Sequence, residues 1–332
     1  MRTKATFPVL LEAFFTDRLM RQQKASPNTI ASNRDTFRLL LSFAQERLKK
    51  APSALTIEDI DAPFVGSFLE YLEKERGNTA RSRNVRLAAI HSFFKYVALE
   101  EPSCCALAQR ILAMPNKRFK RRPIEFLTRP EIEVLLDAPD QSKWAGRRDR
   151  TLLLLGIQTG LRVSELVGLR CSDIVLGTGA HVRCTGKGRK ERCTPLRKET
   201  AVALRAWLRV RRGDSLEPLF PSARGGPLSR DGVEYLLAKR VATAVKQCPT
   251  LKKKRVSAHV LRHTTAMELL QNGVDRSVIA LWLGHEKVET TQIYLHANMK
   301  LKEQALNKAT PFNGHLKRFQ PDDELLTFLK SL

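Results

Sequence analysis

"DIVLGTGAHVRCTGKGRKERCTPL" (173–196) is the stretch that separates this chain from an all-helical one. Three short runs within it, "DIVL" (173–176), "AHVRCTG" (180–186) and "ERCTPL" (191–196), read as strands. The glycine-rich, basic "GKGRK" (186–190) supplies the turn between the last two. Flanking segments on both sides read as helix. Upstream, "RTLLLLGIQTG" (150–160) is a buried helix ended by Gly160, and "LRVSELVGL" (161–169) resumes as helix. Downstream, helices are expected around 199–212 and 230–247, then over 258–274 and 278–285. The pattern therefore predicts a mainly α protein with one small antiparallel β-sheet inside its second half.

The first half is predicted to be helical throughout. "SPNT" (26–29) offers Ser26 as N-cap and Pro27 at the first helical position. Phe37, Leu40, Leu41, Phe43 and Ala44 follow at helical spacing. A second apolar set, Phe64, Phe68, Leu69 and Leu72, ends at Gly77, and a third runs through Leu87, Ile90, Phe93, Phe94 and Val97. Arg81, Arg83 and Arg86 open that third helix, and read either as a solvated face or as phosphate contacts. "MPNKRFKRRP" (114–123) has proline near both ends and five basic residues within 117–122, which is linker composition. "LTRPEIEVLLDA" (127–138) then starts afresh, with Thr128 as N-cap and Pro130 in the first turn. The expected division is a helical domain over 1–115, a basic linker over 116–126, a second domain over 127–312 and a tail over 313–332. In that tail Leu325, Leu326, Phe328, Leu329 and Leu332 form one apolar stripe on a short helix, which needs a groove to be stable.

Charge narrows the partner. The 332 residues hold 58 Lys and Arg against 34 Asp and Glu, a formal charge of +24 that favours polyanions, chiefly nucleic acid. Residues 1–122 carry 22 of those 58 cations and 12 of the 34 anions, so both halves are basic and both are expected to face the same polyanion. The apolar run "LLLLGI" (152–157) is too short to span a bilayer, so no membrane partner is expected. "MRTKATFPVLLEAFF" lacks a small-residue cleavage site after a clean apolar core, and a cytoplasmic, nucleoid-associated protein is the expectation. Six cysteines form no CxxC and no zinc-finger spacing, so no metal and no cofactor is expected. Cys184 and Cys193 lie equidistant from the Gly188–Arg189 centre of the hairpin and are a candidate cross-strand pair, without a disulfide being implied.

Several cations stand where the pattern asks for apolar residues. Arg162 interrupts a buried helical junction directly after Thr159, Gly160 and Leu161. Arg262 sits in "HVLRH" among Val260, Leu261 and Met267, with His259 three positions away on the same helix face. Lys187 rides the hairpin turn, His285 follows the glycine that ends an apolar helix, and Tyr294 lies between Ile293 and Leu295. Each alone is explained by snorkelling or ordinary packing. Together they suit a single phosphodiester. Two guanidiniums can clamp non-bridging oxygens, an imidazole can move a proton, a lysine can protonate a leaving alkoxide, and a tyrosine can attack.

In "TGLRVSELVGL" (159–169), "GKGRKERCTPL" (186–196), "HVLRH" (259–263) and "LGH…Y" (284–294), the chain resembles the tyrosine recombinases, or phage integrases, over essentially its whole length. That resemblance implies an N-terminal core-binding, SAM-like helical domain and a catalytic domain that together embrace double-stranded DNA, working as a homo-tetramer. It implies Arg162 and Arg262 as phosphate-clamping arginines, Lys187 as general acid and His259 as the proton-transfer histidine. His285 would support the phosphate or nucleophile, Tyr294 would be the nucleophile, and Glu165 would be a supporting acid. The chemistry implied is cutting and rejoining through a 3′-phosphotyrosine and a four-way junction, without ATP or metal. Two alternatives stand beside it: relaxation of DNA by a type IB topoisomerase-like reaction, and a non-catalytic DNA-binding protein. The resemblance also implies docking of the tail helix on a neighbouring protomer, against packing on its own domain.

Overall fold

The computed structural model describes residues 6–119, 123–186 and 191–284. The chain forms two compact units that divide between Arg121 and Arg122. Among the described residues no helix is long and apolar enough to cross a membrane. The tail stripe at 325–332 lies outside the described residues.

The first unit is helical among its described residues. α1 (Phe7–Ala13) runs on into a π-helical segment, Phe14–Gln22. α2 (Pro27–Leu48), α3 (Ala62–Lys74), α4 (Ala80–Glu100) and α5 (Cys105–Leu112) follow. Three starts are capped in the same way, with a side-chain oxygen accepting from a backbone N–H three residues on: Ser26 from Thr29, Asp61 from Phe64, and Thr79 from Ser82. Phe93 on α4 is the hub of the core. Its ring meets those of Phe37 at 5.2 Å, Phe14 at 5.5 Å and Phe7 at 5.6 Å, all edge-on, the arrangement favoured by the ring quadrupoles. Of the three arginines that open α4, Arg86 turns inward and donates to the Ser32 carbonyl and the Thr36 hydroxyl of α2. Arg83 donates to the Pro115 carbonyl, while Arg81 is exposed. Beyond α5 the chain stays fastened to this unit. Lys117 exchanges backbone hydrogen bonds with the Asn84 amide and pairs through Nζ with Glu73.

In the second unit α6 (Arg129–Asp137) leads to α7 (Trp144–Thr159), the most buried helix, which packs against α9 (Lys198–Arg211) and α11 (Ala258–Gln271). α7 begins at Trp144, ahead of the apolar run that marks it in the sequence. The polar residues at its start are used internally. Trp144 packs on Trp207 with centroids 5.3 Å apart, and the Arg148 guanidinium lies over the Trp144 ring. Asp149 is buried and accepts from both Arg148 and Arg240. α8 (Val163–Gly168) follows the turn at Gly160. Next come β1 (Ile174–Val175), β2 (His181–Thr185) and β3 (Glu191–Pro195), an antiparallel sheet in the order β1-β2-β3. α10 (Arg230–Ala244) and α12 (Arg276–Leu283) complete the described elements.

The strand register separates the two hairpin cysteines. Cys184 pairs with Arg192 and Arg183 with Cys193, so Cys184 and Cys193 are one residue out of step and on opposite faces. Cys184 is buried, Cys193 is exposed, and both are free thiols. Counting from the middle of the loop misplaced them because the register pairs Thr185 with Glu191, which sets Cys184 opposite Arg192. Burial pushes the Cys184 thiol up to about 11, so it stays protonated at neutral pH.

α6 is anchored by its own first turn. The Glu131 carboxylate accepts from the Thr128 backbone N–H at 2.8 Å, closing the capping box, and from Lys254 Nζ at 2.6 Å and the Thr250 hydroxyl at 2.7 Å. Burial alone would raise its pKa, but these donors outweigh burial and hold the carboxyl below its usual range. A group depressed in the folded state stabilises above its unfolded pKa and loses that contribution as pH falls through the folded value. Glu131→Ala should therefore cost about 2 kcal/mol at pH 7. That is less than the ~3–5 kcal/mol of a fully buried pair, because Lys254 keeps 25% exposure. The difference from wild type should shrink on acidification below about pH 4, as measured by urea unfolding at a series of pH values.

Candidate active site

Three chain segments meet at the end of α7. Gly160 closes that helix at φ +64°, in the left-handed region where a Cβ is strained. A side chain there would also have no room, since a Cβ would sit 2.6 Å from Leu283 Cδ2 and 3.2 Å from Thr265. α11 therefore presses against this turn. Its Thr265 hydroxyl donates to the Ile157 carbonyl at 2.6 Å. From α12, Trp282 Nε1 donates to the Thr159 carbonyl at 3.1 Å.

Arg262, 3% exposed, rises from α11 into this junction. It donates to the Gly160 carbonyl at 2.7 Å and to the Leu283 carbonyl at 2.6 Å. Those oxygens belong to the C-terminal ends of α7 and α12, the negative poles of their helices, so a cation is favoured there. Arg162 enters from the N-terminus of α8. One of its terminal nitrogens donates to Glu165 Oε1 and the other to the Gly284 carbonyl, both at 2.9 Å. Leu283 and Gly284 are consecutive, so the two guanidiniums grip adjacent peptide carbonyls. Arg162 keeps 32% side-chain exposure.

His259 lies one turn before Arg262 on α11 and is exposed. Its ring stands edge-on to that of the half-buried His263, with centroids 4.3 Å apart. The structure thus brings Arg162, Arg262 and His259 onto neighbouring elements. Lys187, His285 and Tyr294 lie outside the described residues.

Glu165 is the buried acid of the site, with a side chain 3% exposed. Desolvation would raise its pKa, but hydrogen bonds from Arg192 and from the Arg162 backbone and side chain overcome this and keep it ionised. Arg192 was not singled out in the sequence. It stands inside "GKGRKERCTPL", where another basic residue attracts no notice. The signal available was its strand phase: Thr194, two positions on, is buried, so Arg192 points to the inner face of β3.

Comparison with known proteins gives the family. Residues 13–101 match the phage integrase N-terminal SAM-like domain, and residues 125–300 match the phage integrase family. The chain belongs to the phage integrase family, the tyrosine site-specific recombinases. It is 58% identical to "Putative integrase/recombinase y4rC" of Sinorhizobium fredii over 100% of both chains. It is 32% identical to the tyrosine recombinase XerC of Pelotomaculum thermopropionicum, over 87% of this chain and 94% of that one. Two solved structures share the fold. The Tn1549 transposon integrase in complex with transposon right end DNA has a TM-score of 0.68 at 16% identity, covering 91% of this chain and 98% of that one. The XerH recombinase bound to its difH substrate has a TM-score of 0.64 at 21% identity, covering 87% of this chain and 82% of that one.

Because Gly160 sets the spacing of α7, α11 and α12, Gly160→Ala should destabilise the second unit by more than about 2 kcal/mol, combining left-handed strain with overpacking. Chemical denaturation followed by tryptophan fluorescence measures this. An unchanged midpoint would mean that Leu283 does not close on the turn.

Proposed function

We propose that this recombinase cuts and rejoins double-stranded DNA through a covalent 3′-phosphotyrosine at Tyr294 and a Holliday-junction intermediate. The observation that carries the reading is the convergence of Arg162 and Arg262 on the adjacent carbonyls of Leu283 and Gly284, directly before His285. In the reaction the Tyr294 oxygen attacks the scissile phosphorus as its proton leaves. Arg162 and Arg262 take the charge that builds on the non-bridging oxygens. Lys187 protonates the departing 5′ oxygen, His259 accepts the proton that Tyr294 gives up, and His285 supports the phosphate by a hydrogen bond. The P–O bond to the 5′ carbon side breaks as the phosphotyrosine bond forms. A free 5′-OH from a second strand then attacks the phosphotyrosine, restores the diester and releases Tyr294. One phosphoester bond replaces another in each step, so no ATP is consumed.

Arg162 holds the Gly284 carbonyl beside its pairing with Glu165, and Arg262 holds the Gly160 and Leu283 carbonyls; a neutral carbonyl is a weaker partner than an anionic phosphate. Exchange of strands between two sites requires a homo-tetramer on DNA, with the SAM-like and catalytic domains both contributing cationic surface.

A suitable probe is a nicked suicide duplex carrying the sequence that the wild-type protein selects from a randomised DNA pool. Wild type should form a covalent protein–DNA band on it, with or without a chelator. Tyr294→Phe should bind the duplex and give no band; a band from that variant removes Tyr294 as nucleophile. Arg162→Ala and Arg262→Ala should each lower single-turnover cleavage ~10²–10³-fold, the usual loss for one donor to a transition-state oxyanion. Affinity should change less and fall steeply with salt for all variants. Relaxation of supercoiled plasmid without the selected site, in place of strand exchange between two sites, would point to topoisomerase chemistry.

A further inference from the structure

Resting on the reading of Arg162 as a phosphate ligand, we propose that Arg192 is a positioning residue of the active site: it shares the Glu165 carboxylate so that Glu165 orients Arg162 without neutralising it. Four N–H groups converge on that carboxylate. Oε1 accepts from Arg162 at 2.9 Å and from Arg192 at 3.0 Å. Oε2 accepts from the Arg162 backbone N–H at 2.7 Å and from the other terminal nitrogen of Arg192 at 2.8 Å. Arg192 therefore grips both oxygens in a fork, while Arg162 takes one oxygen with its side chain and the other with its main chain.

The charge count gives the arrangement its purpose. A Glu165–Arg162 pair alone is neutral, and a phosphate approaching Arg162 would meet a carboxylate behind it. With Arg192 added the cluster carries one net positive charge. Burial makes this count matter, because interactions among poorly solvated charges are weakly screened. The two arginines differ in access. Arg192 keeps 13% side-chain exposure against 32% for Arg162, so Arg162 is the one an incoming anion can reach. Arg192 also meets the turn that Arg162 holds, since a Cβ on Gly284 would lie 2.8 Å from its terminal nitrogen. Its Nε is buried without a hydrogen-bond partner among the described residues. A strand residue needed only to fill the inner face of β3 would be apolar and leave no such orphan donor. Arg192 thus ties the base of the hairpin to α8 and to the end of α12, and supplies the second cation that Glu165 requires.

The test is a double-mutant cycle of Arg192→Gln and Glu165→Gln, each alone and together, on the same suicide duplex, with cleavage rate and duplex affinity both measured. Arg192→Gln should slow single-turnover cleavage about tenfold or more, a coupling expected within one ion-pair network, with a much smaller change in affinity. Arg192→Lys, which keeps the charge and loses the fork, should recover part of the rate. The decisive variant is the double Arg192→Gln with Glu165→Gln, which removes the stranded carboxylate and should cleave faster than Arg192→Gln alone. A double variant no faster than the single would reduce Arg192 to a structural pin and overturn the proposal. If Arg192→Gln does not fold, Arg192→Met replaces it, alone and paired with Glu165→Gln, and the same comparison of single with double decides. Arg162→Ala is run alongside. Wild-type cleavage by Arg162→Ala would overturn the phosphate-clamp reading itself. A dead Arg162→Ala beside an Arg192→Gln that cleaves at the wild-type rate would overturn only the role of Arg192.

Discussion

The Arg262 guanidinium joins the ends of two helices that are far apart in sequence. By donating to the Gly160 and Leu283 carbonyls it fastens α7 and α12 to α11. Removing it would leave two helix C-termini facing each other with unpaired carbonyls. Gly160 makes the approach possible, because no other residue combines that φ with room for Leu283. The rest of the site is built outward from this junction. Arg162 follows two residues after Gly160, and its second anchor, Gly284, follows directly after Leu283.

A second regularity is how this cationic chain treats its buried carboxylates. Asp149 is shared by Arg148 and Arg240, and Glu165 by Arg162 and Arg192. Glu131 takes Lys254 together with two neutral donors. Each acid ties its own helix to a partner far along the chain. Such clusters are weak evidence for stability, since charge burial is costly, but they fix geometry because each oxygen has only certain donors within reach. Around Glu165 that fixed geometry holds Arg162, the arginine that the proposed chemistry uses.

Parts of this were legible without coordinates. Ser26 and Thr128 announce helix starts through local hydrogen-bonding chemistry, and both act as N-caps in the structure. The three strands around "GKGRK" follow from short-range pattern and turn composition. Arg162 and Arg262 stand out because a cation inside an apolar pattern needs a reason. Other features were not legible. "SKWAGRRD" reads as polar, yet it begins α7, because Trp144 finds Trp207 and Asp149 finds Arg240. Counting pairs the hairpin cysteines, and the register parts them.

Sequence by itself determined the helical class, the small sheet, the basic character of both halves and the residue types able to handle a phosphate. These depend on local propensity, periodicity and summed charge, which the order of residues contains directly. Tertiary structure alone decided that Arg262 and Arg162 grip adjacent carbonyls, and that Glu165 is shared between Arg162 and Arg192. Arg162 and Gly284 are separated by 122 positions, and Arg192 and Glu165 by 27. No local pattern encodes such pairs. They exist because helix ends and strand faces were brought within hydrogen-bonding reach by the packing of the whole unit.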